Sequence, residues 1–211
     1  MHYTINRIAS TPLDAVDFSM AEEGRVGYVR PESSAYHPET RFYMLHDNEA
    51  LTVQFCVKDA HVRSVQTEYQ SPVYTDSCVE LFVQPVKGKG YFNVEINAGG
   101  TLLLTYIEDP TRVPGGFAAF TRVDRVWGNQ VQIRSSLPPV VEPERATDWS
   151  LRYRIPFALF EYYAGPLTER AWRGNLYKCG DETSHPHWMA WSPLSARNFH
   201  LPECFGVLSL G

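Results

Sequence analysis

A chain of 211 residues and 24.0 kDa is long enough to bury a sizeable core, and 44% hydrophobic against 20% charged residues is ordinary for a globular fold. Its formal net charge of −5, with no cluster of Lys and Arg, argues against a nucleic-acid or anionic-membrane partner. No stretch approaches the ~20 apolar residues that span a bilayer, and the opening MHYTINRIAS lacks the apolar centre of a secretory signal, which leaves the compartment open.

Taken in order, residues 1–50 are rich in turn formers, with short extended pieces at Arg25–Val29 and Arg41–His46. Asp47-Asn48 reads as a hairpin turn into Leu51–Val57, where Leu51, Val53, Phe55 and Val57 alternate with Thr52, Gln54 and Cys56. Between Val73 and Asn97 lie two strands joined at Lys87-Gly88-Lys89-Gly90. Val79, Leu81 and Val83 alternate with Cys78, Glu80 and Phe82; Phe92, Val94 and Ile96 then alternate with Asn93, Glu95 and Asn97. A period of two sends one set into a core and the other to the opposite face. Gly99-Gly100 turns the chain into a strand at Leu102–Tyr106, and Asp109–Gly116, with its prolines and glycines, reads as a loop. Phe120–Val126 and Gln130–Ser135 read as a hairpin turned at Gly128-Asn129, Pro138–Thr147 as a proline-rich loop, and Trp149–Ile155 as a strand. Pro156 opens a short helix with Phe157, Leu159, Phe160 and Tyr163 on one side and Gly165 at its end. Asn175–Cys179, Trp188–Trp191 and Phe205–Leu210 complete the strands.

Short strands with turn signals every ten or so residues, one helix and no internal repeat or linker predict an all-β fold. We expect an antiparallel β-sandwich, jelly-roll or immunoglobulin-like, as one domain over residues 1–211. Leu51–Val57, Cys78–Val83, Tyr91–Asn97 and Leu102–Tyr106 are expected to share one curved sheet. A chain that starts at Met1 and stops just past its last strand carries the expectation that no catalytic domain is attached.

The polar phase of the 73–97 pair holds carboxylates and amides: Asp76, Glu80, Asn93, Glu95 and Asn97, with the ring of Tyr74 at its entrance. Sugar recognition needs fixed donors and acceptors for hydroxyls and a ring for the C–H face of a pyranose; a merely solvated sheet face is the competing reading. Glu80 and Glu95 on adjacent strands also suit the paired carboxyls of a glycosidase, although no large insertion encloses a substrate. Tyr177–Trp191 is the most unusual local sequence. Cys179, Asp181, His185 and His187 have the donor types of a zinc site, but an extended His-Pro-His sends its rings to opposite sides; the alternatives are a loop packing Trp188 and Trp191 into the sandwich and a loop lining the sugar site beside Asn198, Phe199 and His200. A haem sandwich would require axial ligands from Met44, Met189 or His187, with no spacing to support them. The four cysteines, Cys56, Cys78, Cys179 and Cys204, contain no C-x-x-C. A Cys56–Cys78 bridge competes with two reduced, buried thiols.

Three motifs together resemble the family-9 carbohydrate-binding modules: Asp47-Asn48 before Leu51–Asp59; Asp76–Phe82 followed by Tyr91–Ala98; and Asn198–Leu208, similar to an aromatic-x-x-Pro-x-x-Phe-Gly ending. The resemblance implies a sugar-binding sandwich of the kind attached to glycoside hydrolases, non-catalytic itself, with an aromatic pair gripping a pyranose. Carried over, the rings fall at Tyr74 and Phe199, neither of them Trp, and the acidic hydrogen-bonding residue at Glu80. Glu95, Asn97 and Asn198 join them as the expected hydroxyl partners. The implied ligand is a mono- or oligosaccharide, in support of polysaccharide breakdown; a sandwich that has lost its sugar and serves as a protein-interaction module is the alternative. No cofactor is expected. Structural calcium occurs in the family, but no acidic loop here suggests a place for it.

Overall fold

Fourteen strands account for the architecture of the computed structural model, which describes residues 1–211. In chain order they begin with β1 (His2–Arg7), β2 (Gly24–Arg25), β3 (Tyr28–Val29), β4 (Glu39–His46) and β5 (Ala50–Ser64). Then come β6 (Cys78–Gln84), β7 (Tyr91–Asn97), β8 (Leu102–Val113), β9 (Gly116–Arg122) and β10 (Gln132–Ser135). The last four are β11 (Val141–Pro156), β12 (Ala171–Cys179), β13 (Trp188–Ala190) and β14 (Gly206–Leu210). Helices α1 (Arg125–Gly128) and α2 (Phe157–Ala164) interrupt them.

One layer of the sandwich runs β9-β8-β7-β6-β12-β14, with β13 on the free edge of β12 and β3 beyond it. The other runs β4-β5-β11-β10, with β2 beside β4. Strand β1 joins the layers. His2–Ile5 pair in parallel with β14, and Asn6–Arg7 then pair in parallel with β4. Every other pairing is antiparallel.

The apolar phase read from the sequence forms the core between the layers. Val79, Leu81 and Val83 of β6 and Phe92, Val94 and Ile96 of β7 face Val53, Phe55 and Val57 of β5 within one cluster of 35 buried residues. Burying each such side chain contributes about 1.5–3 kcal/mol before entropy is counted. A buried pair of charged side chains sits inside this slab. Lys178, fully buried, donates to the Cys179 carbonyl and to His187 Nε2, both at 2.8 Å, and lies 3.8 Å from Asp59 Oδ2 of the opposite layer. A second cluster, which includes Phe82, Tyr91, Tyr177 and Phe199, covers the outer face of β6, β7 and β12. Both faces of this layer are therefore buried, and the open polar face expected of the 73–97 pair is instead covered.

Several elements differ from expectation for identifiable reasons. Leu51–Val57 lies in the second layer, between β4 and β11, because residues 65–77 carry the chain across before β6 begins. Asp109–Gly116 is not a loop: β8 continues to Val113 and turns at Pro114-Gly115 into β9. Pro110 is tolerated because β7 stops pairing at Ile107, and the β8–β9 register shifts on either side of Asp109. The 120–126/130–135 hairpin does not form. Residues 125–128 are helical and Gln132–Ser135 pair with Leu151–Arg154 instead. Val141–Thr147, read as loop, belongs to the long β11, and a second helix joins the single one expected. All four cysteines are free; Cys56 and Cys78 stand in different layers, so they cannot pair.

Candidate functional site

Antiparallel register turns the alternating phase of β6 into rows that cross the outer face. One row reads Trp188–Cys179–Cys78–Asn97, the next Ala190–Tyr177–Glu80–Glu95–Leu103, and the third Asn175–Phe82–Asn93–Thr105–Arg122. Over them the segment 180–205 folds back from β12, and the β8–β9 hairpin rises from the other side as a wing. Between them is a cleft of about 560 Å³. Glu80, Asn93, Glu95 and Cys179 are on its floor; Tyr74, Trp188 and Asp181 line one part of the wall, and Arg112, Gly116 and Phe117 of the wing another.

The floor is dry and under-bonded. Glu80 is 2% exposed; its Oε1 accepts the Cys179 thiol at 3.0 Å, and its Oε2 has no partner. Glu95 accepts the Asn93 amide at 2.8 Å through Oε1, which leaves Glu95 Oε2 and Asn93 Oδ1 unpartnered. Buried polar atoms almost always find partners, so three orphaned oxygens on the floor of one cleft call for a ligand that donates hydrogen bonds. Burial pushes the Glu95 carboxyl from an ordinary value of 4.5 up to about 7. Glu80 is raised well above the carboxylate range, chiefly by burial, with the neighbouring Cys179 and Glu95 adding to it. Burial likewise drives His200 down to about 3, so it stands neutral, with Nδ1 2.8 Å from the Tyr91 hydroxyl.

Of the residues singled out in the sequence, Tyr74, Glu80, Glu95, Asn198 and Phe199 all line the cleft. They present themselves differently. The Tyr74 ring is 41% exposed, whereas Phe199 is only 8% exposed and stacks on Tyr177 with ring centroids 4.2 Å apart. Arg30 lies over Phe199 and also over Trp188. Asn198 spends its Oδ1 on the His200 backbone N–H. Asn97, expected beside Glu95 from strand phase, is outside the cleft. Its amide donates to Gln66 O and Asp76 Oδ2 and its Oδ1 accepts from Thr101 N, so its polar groups are consumed in holding the loops at that end. Asp76 is equally structural, fully buried against Arg63, Val65 and Gln66.

Sequence reasoning missed Trp188, Arg112 and Cys179 as cleft residues. Packing into the sandwich interior is one sequence reading of Trp188; in the structure its indole N–H donates to Asp181 at 2.7 Å and its ring lines the cleft. The signal is the pairing of Trp188 with Cys179 and of Cys179 with Cys78, which puts all three on the face of Glu80. Such pairing is a tertiary fact. The zinc set imagined from Cys179, Asp181, His185 and His187 does not assemble: His187 bonds Lys178, His185 stacks on His61, and Asp181 holds Trp188. The one set of converging metal-ligating side chains is Cys78, Glu80 and Cys179. Two thiols do not suit calcium, which takes six to eight hard oxygens.

The sequence pattern described as carbohydrate-binding family 9 matches residues 11–210. The chain belongs to that family. Among solved structures, a Bacteroides uniformis ATCC 8492 protein proposed to bind carbohydrate is 28% identical, covers 100% of this chain and 99% of its own, and superposes with a TM-score of 0.85. A family-9 module of Caldicellulosiruptor kristjanssonii in complex with glucose is 13% identical with a TM-score of 0.63, covering 100% of this chain and 96% of its own. One from the same organism in complex with cellotriose is also 13% identical, with a TM-score of 0.62 and coverage of 100% and 93%. These family-9 structures share the sandwich with this chain. Comparison with curated proteins finds no match.

Proposed function

We propose that this family-9 chain is a non-catalytic carbohydrate-binding module, acting as one unit over residues 1–211, that takes a mono- or oligosaccharide into the cleft above β6 and β7. The observation that carries the reading is the trio of buried, unpartnered oxygens, Glu80 Oε2, Asn93 Oδ1 and Glu95 Oε2, on the floor of a sugar-sized cavity. Sugar hydroxyls supply the missing donors. Tyr74 and Trp188 offer ring faces for the C–H side of a pyranose, each worth on the order of 1 kcal/mol beyond burial; Phe199 supports the wall through Tyr177. Arg112, whose guanidinium lies 4.1 Å over the Phe117 ring, is placed to donate from the rim.

Hydrolysis would require one carboxyl kept ionised and the other protonated. Burial raises both Glu80 and Glu95, and with Glu95 near 7 neither is held as a fully ionised carboxylate at neutral pH. Family membership supports a role beside polysaccharide-degrading enzymes, and the glucose and cellotriose bound by the two Caldicellulosiruptor modules are in keeping with it.

Isothermal titration of the reduced protein against mono- and oligosaccharides, including forms blocked at the reducing end, tests the reading. Saturable heat with a dissociation constant between about 1 μM and 1 mM is expected, weakened about tenfold or more in Tyr74→Ala and in Trp188→Ala. Silence across the panel from folded protein would sink the sugar reading and leave an interaction module. Release of reducing sugar from any ligand would overturn the non-catalytic part alone.

A further inference from the structure

The sugar reading uses Glu80 and leaves the two thiols beside it without a task. Cys78 and Cys179 are direct partners across β6 and β12, and Glu80 is two residues beyond Cys78 on the same face. All three side chains are at most 2% exposed, and their ligating atoms lie within 4.8 Å of one another. Glu80 Oε2 is orphaned there, an acceptor with nothing to accept from. No cation pairs with the group: Arg30 and Arg112 line the cleft walls, where they lie over Trp188 and Phe117. Lys178, the neighbour of Cys179 in sequence, points through the sheet to Asp59 and His187. Three acidic groups share one dry corner, and Glu80 and Cys179 open it to the cleft.

We propose that Cys78, Cys179 and Glu80 form a binding site for a thiophilic divalent cation, zinc being the ion they fit, with the fourth position turned toward the cleft. Zinc accepts thiolate at about 2.3 Å and carboxylate at about 2.0–2.2 Å in a tetrahedron, which holds its ligands roughly 3.5–3.8 Å apart. Side-chain rotations of about 1 Å, which also open the 3.0 Å Cys179–Glu80 contact, complete the set. Thiolate donors select zinc over calcium and magnesium, which favour oxygen. Binding exchanges protons for the ion: each thiol, and the carboxyl where it is protonated, gives its proton to solvent as the metal bond forms. Three protein ligands and one open position are the arrangement that lets a zinc ion take water or a hydroxyl as its fourth partner. The site stands whether or not the cleft binds sugar, because its readout is ligation by sulfur.

The test is a titration of the full chain, reduced and stripped by chelator without oxygen, with Co2+ alone. One equivalent is expected to produce thiolate-to-cobalt charge-transfer absorption and the visible bands of tetrahedral cobalt, both erased by Zn2+. Cys78→Ser and Cys179→Ser should each diminish the charge-transfer band and weaken binding by at least the 10–100-fold that loss of an outer-shell partner costs. Glu80→Gln should weaken binding and keep the sulfur band. On the unmutated protein held near its unfolding midpoint in urea, where the buried Cys179 comes within reach of the reagent, Zn2+ should slow alkylation of Cys179 more than that of Cys204, read by mass spectrometry; this arm needs no variant to fold. Absence of the sulfur band in folded, reduced protein overturns the proposal. So does cobalt bound without that band, as imidazole and carboxylate ligands alone would give, or equal slowing of Cys179 and Cys204 alkylation by zinc.

Discussion

Glu95 shows how one side chain ties the cleft to the stability of the fold. Its folded value of about 7 exceeds its ordinary 4.5, so the native state holds a proton that the unfolded chain releases between those values. Stability therefore falls as pH rises through that window, by up to about 3 kcal/mol once the group is ionised. Glu95→Gln removes this slope. In chelator-treated protein the variant should unfold at higher denaturant than wild type above about pH 7, with the advantage shrinking as pH falls from 7 and gone by about 4.5; equal midpoints throughout would show that Glu95 is not held protonated. Phe199 makes a second case. Buried and stacked on Tyr177, it should cost about 3–5 kcal/mol on Phe199→Ala, measured by urea unfolding, whereas the exposed Tyr74→Ala should cost little stability and act on binding. Residue chemistry was legible in part: the phase of Glu80 and Glu95 followed from alternation, but the same alternation placed Asn97 beside them. Its neighbours Gln66, Asp76 and Thr101 claim it, and they reach it only through the loops.

Among the elements, the β8–β9 wing separates fold from site most cleanly. Between Glu108 and Arg122 no side chain is buried, yet Arg112, Gly116, Phe117 and Phe120 line the cleft. Replacing residues 109–119 with a tight turn should leave the melting temperature within a few degrees and lower sugar affinity about tenfold or more, a loss of about 1.4 kcal/mol. Collapse of the fold, or unchanged affinity, would contradict this division of labour. Gly116 sets the wing's shape locally. Its φ of +146° is disfavoured for other residues, and an added Cβ would stand 3.1 Å from the Phe120 ring. Prolines and glycines in Asp109–Gly116 led the sequence reading to a loop, because in isolation they do signal one. Strand geometry survives here only because Pro110 needs no second neighbour and register shifts absorb the irregularity.

At the scale of the molecule, buried ionisable groups pull stability in opposite directions. His187 and His200 are both pushed from 6.5 to about 3, mainly by burial, so the unfolded chain binds their protons first and stability rises with pH between those values. Glu95 and Glu80 do the reverse, from 4.5 upward. The slopes offset one another between about pH 4.5 and 6.5, and we expect a plateau of thermal stability there, falling on the acid side through the histidines and on the alkaline side through the glutamates. A melting temperature that climbs steadily through pH 8 would refute it. Across the layers, Lys178 and Asp59 should behave as a buried pair. Lys178→Met leaves Asp59 uncompensated and should cost about 3–5 kcal/mol, and adding Asp59→Asn should restore part of it, read from denaturant midpoints of the two variants.

Side-chain alternation, turn chemistry and the motif set were enough by themselves to determine a β-sandwich, the core phase of β6 and β7, and the family, because these depend on local period and residue identity. Layer membership, the switching strand β1, the wing and the roof over the polar face were decided by tertiary structure. Those features depend on which strands become neighbours, and pairing partners distant in sequence leave no periodic trace. The row Trp188–Cys179–Cys78 exists only through such pairing. It brings a scattered tryptophan and thiol, Trp188 and Cys179, into the wall and floor of one cleft, with Cys78 buried beside them.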